Sequence, residues 1–184
     1  MSVRYVKRLQ MIFDFRRTLV PAVELPDGFQ LVPWNLSLLR AHAKIKYHGF
    51  RDDSDSSVFP TFKQFDRCLR LMESITESGL FVPEATLLIS YDSPDTVCEY
   101  VANIQGMRLS NETGAIQNVA VLPGFRQRGL GRAIVLGALH AFRNIGIQQV
   151  SLDVTANNFP AMRLYERIGF RTVRVHFKET ASGD

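Results

Sequence analysis

Apolar positions recur along this chain with two periods, close to two and close to three and a half residues, and the switches between them divide it into strands and helices. Residues 3–15, VRYVKRLQMIFDF, carry Tyr5, Val6, Met11, Ile12, Phe13 and Phe15 in a strand pattern that Arg16-Arg17 and Pro21 end. A short strand at 28–33 leads into a helix from Trp34 to Tyr47, capped by Asn35 or Ser37. Behind Pro60, Phe62, Phe65, Leu69, Met72 and Ile75 form the core-facing stripe of a helix over about 61–78. Strands at 85–91 and 96–107 flank the turn residues Asp92, Ser93, Pro94 and Asp95, and a second turn at 110–114 delivers the chain into a strand ending at Val121. A helix at 129–145, a strand at 148–154, a helix at 158–168 and a strand at 170–177 follow. The sum is α/β, a three-layer sandwich with one sheet between helices, expected as a single domain over 1–184. Residues 1–20 read as an arm added at the sheet edge or packing on a partner chain, and 179–184 as a mobile tail.

The stretch 115–132, AIQNVAVLPGFRQRGLGR, places a buried-strand signal directly before a loop rich in Arg and Gly and then a helix start. That arrangement aims free backbone N–H groups and a helix dipole at an anion, so the ligand is expected to carry phosphate. Two common phosphate loops fail on spacing. A nucleotide P-loop needs Lys-Ser/Thr after its second glycine, and here Leu130-Gly131 follows Gly129. A dinucleotide fingerprint needs a small residue where Ile134 stands.

What fits is Arg126-x-x-Gly129-x-Gly131, which resembles the Q/R-x-x-G-x-G/A loop of the GNAT superfamily of acyl-CoA-dependent N-acyltransferases. Downstream, 150–170 reads as a strand and then Asn158, Ala161, Leu164, Tyr165 and Gly169-Phe170, which resembles the same family's second motif at matching spacing and order. The motif-bearing part covers about 113–173.

The resemblance implies a mixed, mostly antiparallel sheet in a GNAT-like three-layer α/β/α sandwich, splayed between its fourth and fifth core strands. It implies acetyl-CoA as co-substrate, with the pantetheine arm against Val119 and Val121 and its amide on Asn158, beside Ala161. The pyrophosphate would lie on N–H groups of Gln127, Arg128, Gly129, Leu130, Gly131 and Arg132, with Arg126, Arg128 and Arg132 supplying positive charge around it. The reaction implied is direct attack of a primary amine on the thioester in a ternary complex. Tyr165 would protonate the departing thiolate, since a phenol's ordinary pKa of about 10 is close to that of an alkyl thiol. Gln117 and Asn118 cannot take a proton as a carboxylate does, and no base is named: Glu99 on the preceding strand is a candidate that reads first as a surface carboxylate, and a water chain to backbone carbonyls could serve instead. The opposing reading is a non-catalytic acyl-CoA-binding module.

Composition narrows the partners. Hydrophobic residues make up 46% and charged residues 22%, and no apolar run reaches the length of a membrane span. MSVRYVKRLQ lacks a hydrophobic signal core. Cys68 and Cys98 lack CxxC or His spacing, which argues for reduced thiols in the cytoplasm and against a metal. A net charge of +4 suggests nucleic acid only if clustered, and the 18 acidic residues are dispersed. The acidic segment 51–59 lacks the Gly and distal Glu of a calcium loop and reads as a solvated connection. His42 and His48, near the other face or end of their helix, have no spaced companions and read as surface or locally bonded residues, and His140 on the flank of its helix reads as structural. The expected acceptor is a small-molecule or peptide amine, with no nucleic acid and no membrane; a homodimer is compatible with the arm.

Overall fold

The computed structural model describes residues 4–51, 58–93 and 96–180. Most of the acidic segment, the turn residues Pro94 and Asp95, and the tail from 181 lie outside the described residues. Seven strands form one sheet in the order β2-β3-β4-β5-β6-β1-β7. They are β1 (Arg4–Asp14), β2 (Phe29–Pro33), β3 (Phe81–Ser93), β4 (Thr96–Arg108), β5 (Thr113–Val121), β6 (Gln149–Thr155) and β7 (Arg171–Thr180). Every neighbouring pair is antiparallel except β5 and β6. Helices α1 (Leu39–Phe50) and α2 (Phe65–Glu77) cover one face; α3 (Leu130–Asn144) and α4 (Phe159–Ile168) pack on the other.

The helices follow their expected stripes with shifted ends. Asn35 accepts a hydrogen bond from the Ser37 N–H at 2.9 Å and opens a short 3-10 turn, so α1 proper starts at Leu39 and runs three residues past the expected end. It continues through Gly49 because a Cβ there would meet the Ala120 Cβ at 2.8 Å, which lets the helix lie close on β5. Likewise 61–78 divides into a 3-10 turn, Pro60–Lys63, and α2.

The expected strand near the N-terminus is present, but it is neither an arm nor an edge. β1 lies inside the sheet, antiparallel to both β6 and β7, and the edge falls to β7. Alternation accounts for the burial: Leu9, Met11 and Phe13 point into the core beneath α3 and α4, while Arg8, Gln10 and Ile12 point to the other face. Apolar period tells which face a strand buries and is silent on which strands flank it.

The core beneath α1 is partly polar. His42, Lys46, Asn103 and Gln105 are all fully buried there. Gln105 Nε2 and His42 Nδ1 lie 3.1 Å apart, and the Lys46 ammonium donates to Met72 Sδ at 3.3 Å. Burial pushes His42 down to about 3, helped by the Lys46 charge, and burial pushes Lys46 down to about 7 against an opposing effect of Cys68. His42 Nε2, Gln105 Oε1 and both polar atoms of Asn103 have no protein partner among the described residues, the situation that internal water satisfies. His42 is thus neither at the surface nor at a helix end, as its lone spacing suggested.

Two outcomes are expected. Phe13→Ala should cost about 3–5 kcal/mol in urea unfolding, as for a core aromatic, where an added arm would lose a few tenths. A base held below its ordinary pKa leaves the unfolded chain binding more protons, so the stability attached to Lys46 rises between about pH 7 and its ordinary 10.5. Lys46→Met should therefore be more stable than the parent at pH 7, with the gap closing as pH rises towards 10.5.

Candidate active site

β5 and β6 pair at three positions only, Thr113↔Gln149, Gly114↔Val150 and Ala115↔Ser151, and then part. Leaving β1 aside, these are the fourth and fifth strands, and the splay lies where the sequence placed it. A bulge turns β5 at that point: Asn118 and Val119 both stand opposite Ile104, and Asn118 takes a left-handed φ of 53°. The gap opens into a cleft of about 1720 Å³ between the sheet and the loop that follows β5.

The loop's backbone suits an anion. Gln127 and Gly129 have φ of 62° and 80°, and Gly129 caps α3. The α3 ladder starts with Ala133 N–H donating to Gly129 O at 3.0 Å, so the N–H groups of Leu130, Gly131 and Arg132 precede it. The first turn contains no acidic residue, and Arg132 sits in it against the dipole, an arrangement that a bound anion would stabilise. A Cβ on Gly129 would meet nothing within 4 Å, so positive φ alone demands glycine there. Gly131 has a different reason: its Cβ would stand 3.3 Å from Leu164 Cδ2, so it sets how closely α3 approaches α4.

Val119, Val121, Arg126, Gln127, Gly129, Leu130, Gly131, Arg132, Asn158, Ala161 and Tyr165 all line the cleft; of the expected residues only Arg128 does not. The arginines divide by role. Arg126 turns its guanidinium back, donating to Val121 O at 3.1 Å and Gly49 O at 2.8 Å, which ties the loop to the end of α1. Arg128 donates to Gly124 O at 3.3 Å and lies over the Phe125 ring. Arg132, in the first turn of α3, lines the cleft. Asn158 Oδ1 accepts from the Ala161 N–H at 3.3 Å and caps α4.

Tyr165 projects from α4 into the cleft with 8% of its surface exposed, its ring edge-on to Phe170 at 5.8 Å. Glu99 lies elsewhere, exposed and paired with Tyr91 outside the cleft lining, so the candidate base from the sequence does not reach the site. His140 is structural, 2.9 Å from Pro21 O.

At the far end the cleft contains residues that sequence reasoning missed. Arg8 donates to Thr155 Oγ1 at 3.0 Å and Asp153 O at 2.9 Å, and its guanidinium lies 4.9 Å from the Phe59 ring centre. The Lys178 ammonium lies 3.7 Å from the same ring centre. Asp153 and His176 line the cleft, with 3.7 Å between Oδ1 and Nε2. These groups come from β6, β1, β7 and the approach to α2, and no local spacing could have assembled them.

The sequence model of the Acetyltransferase (GNAT) family matches residues 51–170. The chain belongs to this family. The mycothiol acetyltransferase of Thermobispora bispora is 46% identical over 169 residues, 89% of this chain and 54% of that protein. An N-alpha-acetyltransferase of Sulfurisphaera tokodaii is 29% identical over 110 residues, 59% of this chain and 65% of that protein. A GCN5-related N-acetyltransferase from Sphaerobacter thermophilus superposes with a TM-score of 0.69 at 23% identity, covering 100% of this chain and 55% of that one. An aminoglycoside N-acetyltransferase solved with CoA superposes with a TM-score of 0.61 at 17% identity, covering 84% and 97%. This GNAT chain thus spans about half the length of the mycothiol and Sphaerobacter proteins. Among its described residues no helix is long and apolar enough to cross a membrane, and no group of three His, Cys, Asp or Glu could hold a metal.

The two glycines should separate experimentally. Gly129→Val forces a β-branched residue into positive φ, a strain of about 1–3 kcal/mol that the loop relieves by turning its N–H groups away. Acetyl-CoA affinity measured by calorimetry should fall at least about tenfold, and unchanged affinity would remove the loop from the binding site. Gly131→Val should instead lower the melting temperature through its collision with Leu164.

Proposed function

We propose that this chain transfers the acetyl group of acetyl-CoA to a primary amine, by direct attack within a ternary complex. The observation that carries the reading is the meeting, in one cleft, of a splayed strand pair, an anion-ready helix start and the Tyr165 hydroxyl-bearing ring. Family membership supports the reaction class, and a CoA complex among the structural neighbours supports the co-substrate.

The residues present fit acetyl-CoA. The open space at Gly129 and the acid-free first turn of α3 suit the pyrophosphate, with Arg132 beside it. Val119 and the parting edge of β5 offer backbone groups to the pantetheine amides, and Asn158, whose oxygen caps α4, lines the same cleft. The thioester supplies the activated acyl carbon. Tyr165, held by packing on Phe170, is placed to give its proton to the departing sulfur.

The alternative, a binding module without chemistry, would not need an ionisable hydroxyl at that position. Acceptor choice belongs to the other end of the cleft, where Phe50, Phe59 and Phe62 form an apolar wall beside Arg8 and Lys178. The relatives named above differ in acceptor, in keeping with specificity set there and not at the shared phosphate loop.

Release of free thiol from acetyl-CoA across a panel of amines tests the activity directly. Tyr165→Phe keeps ring and packing, so cofactor affinity should hold while turnover falls by roughly a hundred- to ten-thousand-fold. Recovery on a thioester with a better leaving group would assign the loss to protonation of sulfur. Full activity of the variant on acetyl-CoA, with chemistry rate-limiting, would remove Tyr165 from the mechanism.

A further inference from the structure

The acceptor amine reaches the enzyme mostly as an ammonium ion and must lose a proton before its lone pair can attack. Neither Gln117 nor Asn118, on the strand beside the thioester, can accept one. Among the described residues two side-chain carboxylates line the cleft, Asp153 and Glu179. Asp153 stands on β6, the strand that forms the far wall of the splay, on the same face as Ser151 and Thr155; Glu179 is paired with Tyr5 near the end of the edge strand. Asp153 is the one next to the gap.

His176 reaches towards Asp153 from β7 across the intervening β1, with 3.7 Å between Nε2 and Oδ1. That is within ion-pair reach and slightly beyond a hydrogen bond, a common state for catalytic pairs before substrate closes the site. Both side chains reach solvent, 34% exposed for His176 and 44% for Asp153, so a proton handed to the imidazole can leave to water. The geometry points to Asp153 as the base that deprotonates the acceptor ammonium and to His176 as the group that carries the proton on to solvent.

This inference rests on the acetyl-transfer reading. The protons balance. Of the three on the ammonium nitrogen, one passes to Asp153 and through His176 to water. The neutral amine then forms the C–N bond as the C–S bond breaks, and sulfur takes the proton of Tyr165. The second nitrogen proton restores Tyr165, and the third remains on the amide. The charged and titratable groups around the pair are Arg8 on β1, which holds the Asp153 backbone oxygen, and Lys178 on β7, whose ammonium senses the Asp153 charge. Imidazole is the side chain best suited to passing a proton near neutral pH.

The placement of His176 depends on the unusual position of β1. Arg8 is its direct neighbour across the β1–β7 ladder, and the same Arg8 bonds Thr155 and the Asp153 backbone. One side chain of β1 therefore sets the spacing between the two members of the pair.

The test uses the full chain, acetyl-CoA and an amine that the parent enzyme turns over. Asp153→Asn should lower kcat by roughly a hundred- to ten-thousand-fold with acetyl-CoA affinity unchanged. His176→Ala should lower kcat by a smaller factor and regain activity when imidazole is added to the buffer, a rescue that a merely structural role would not show. Asp153→Asn should not respond to imidazole, because the first acceptor is then missing. Melting temperatures of both variants identify misfolding, and Asp153→Glu, which keeps the carboxylate, should retain more activity than Asp153→Asn. Near-parent turnover in Asp153→Asn would overturn the base, and near-parent turnover in His176→Ala, or a loss that imidazole leaves untouched, would overturn the relay. No thiol release by the parent enzyme with any amine would instead refute the acetyl-transfer reading itself.

Discussion

Three residues of parallel pairing hold β5 to β6, and the working half of the molecule depends on where that pairing stops. Beyond Ala115 and Ser151 the strands need something other than each other to satisfy their edges and keep their distance. The bulge at Asn118 turns β5 away, and α3 and α4 fill the wedge from one side only. Gly131 lets α3 lie close on Leu164 of α4, where an added Cβ would stand 3.3 Å from Leu164 Cδ2. On the other face Arg126 ties the loop to Gly49 at the end of α1, so the phosphate-side wall is fixed to both helical layers. A cleft made in this way is a packing defect held open by its surroundings, and its shape is as rigid as the core that frames it.

What the chain displays locally was readable and what it assembles at a distance was not. The loop with Gly129 and the helix with Tyr165 each carry their geometry in a few consecutive residues, because a positive φ and a helix start are local properties. Roles within those motifs were less visible. Arg126 and Arg128 read alike beside a phosphate loop, yet Arg126 reaches Gly49, 77 positions away, while Arg128 stays within its own loop on Gly124 and Phe125. Nothing near His42 in sequence signals its partner, because Gln105 lies on β4, 63 positions away. Glu99 stands exposed opposite Tyr91 and outside the cleft lining, in keeping with its reading as a surface carboxylate. The end of the cleft where Arg8 and Lys178 lie over Phe59 and Asp153 stands beside His176 is built wholly from such distant contacts.

The two ends of the cleft therefore differ in construction. The loop after β5 uses backbone groups and glycine conformations, which tolerate much change in surrounding side chains. The opposite end uses side chains from four separate elements, each of which can change alone. That division explains physically how proteins of one fold can share the first and differ in the second.

The insertion of β1 between β6 and β7 also governs the order in which the chain can fold. Arg8 contacts Thr155 across 147 positions, so β1 has no partner strand until β6 and β7, far downstream of it, have been made. Its Leu9, Met11 and Phe13 stay uncovered for that interval, and contacts of such long sequence separation slow the search for the native state. The helices and the β3–β4 hairpin can form as they emerge, whereas the half of the sheet that carries the acceptor end cannot close until β6 and β7 exist. Loop-closure entropy makes this the late step, and a ligand that engages the finished cleft would act on the part of the molecule assembled last.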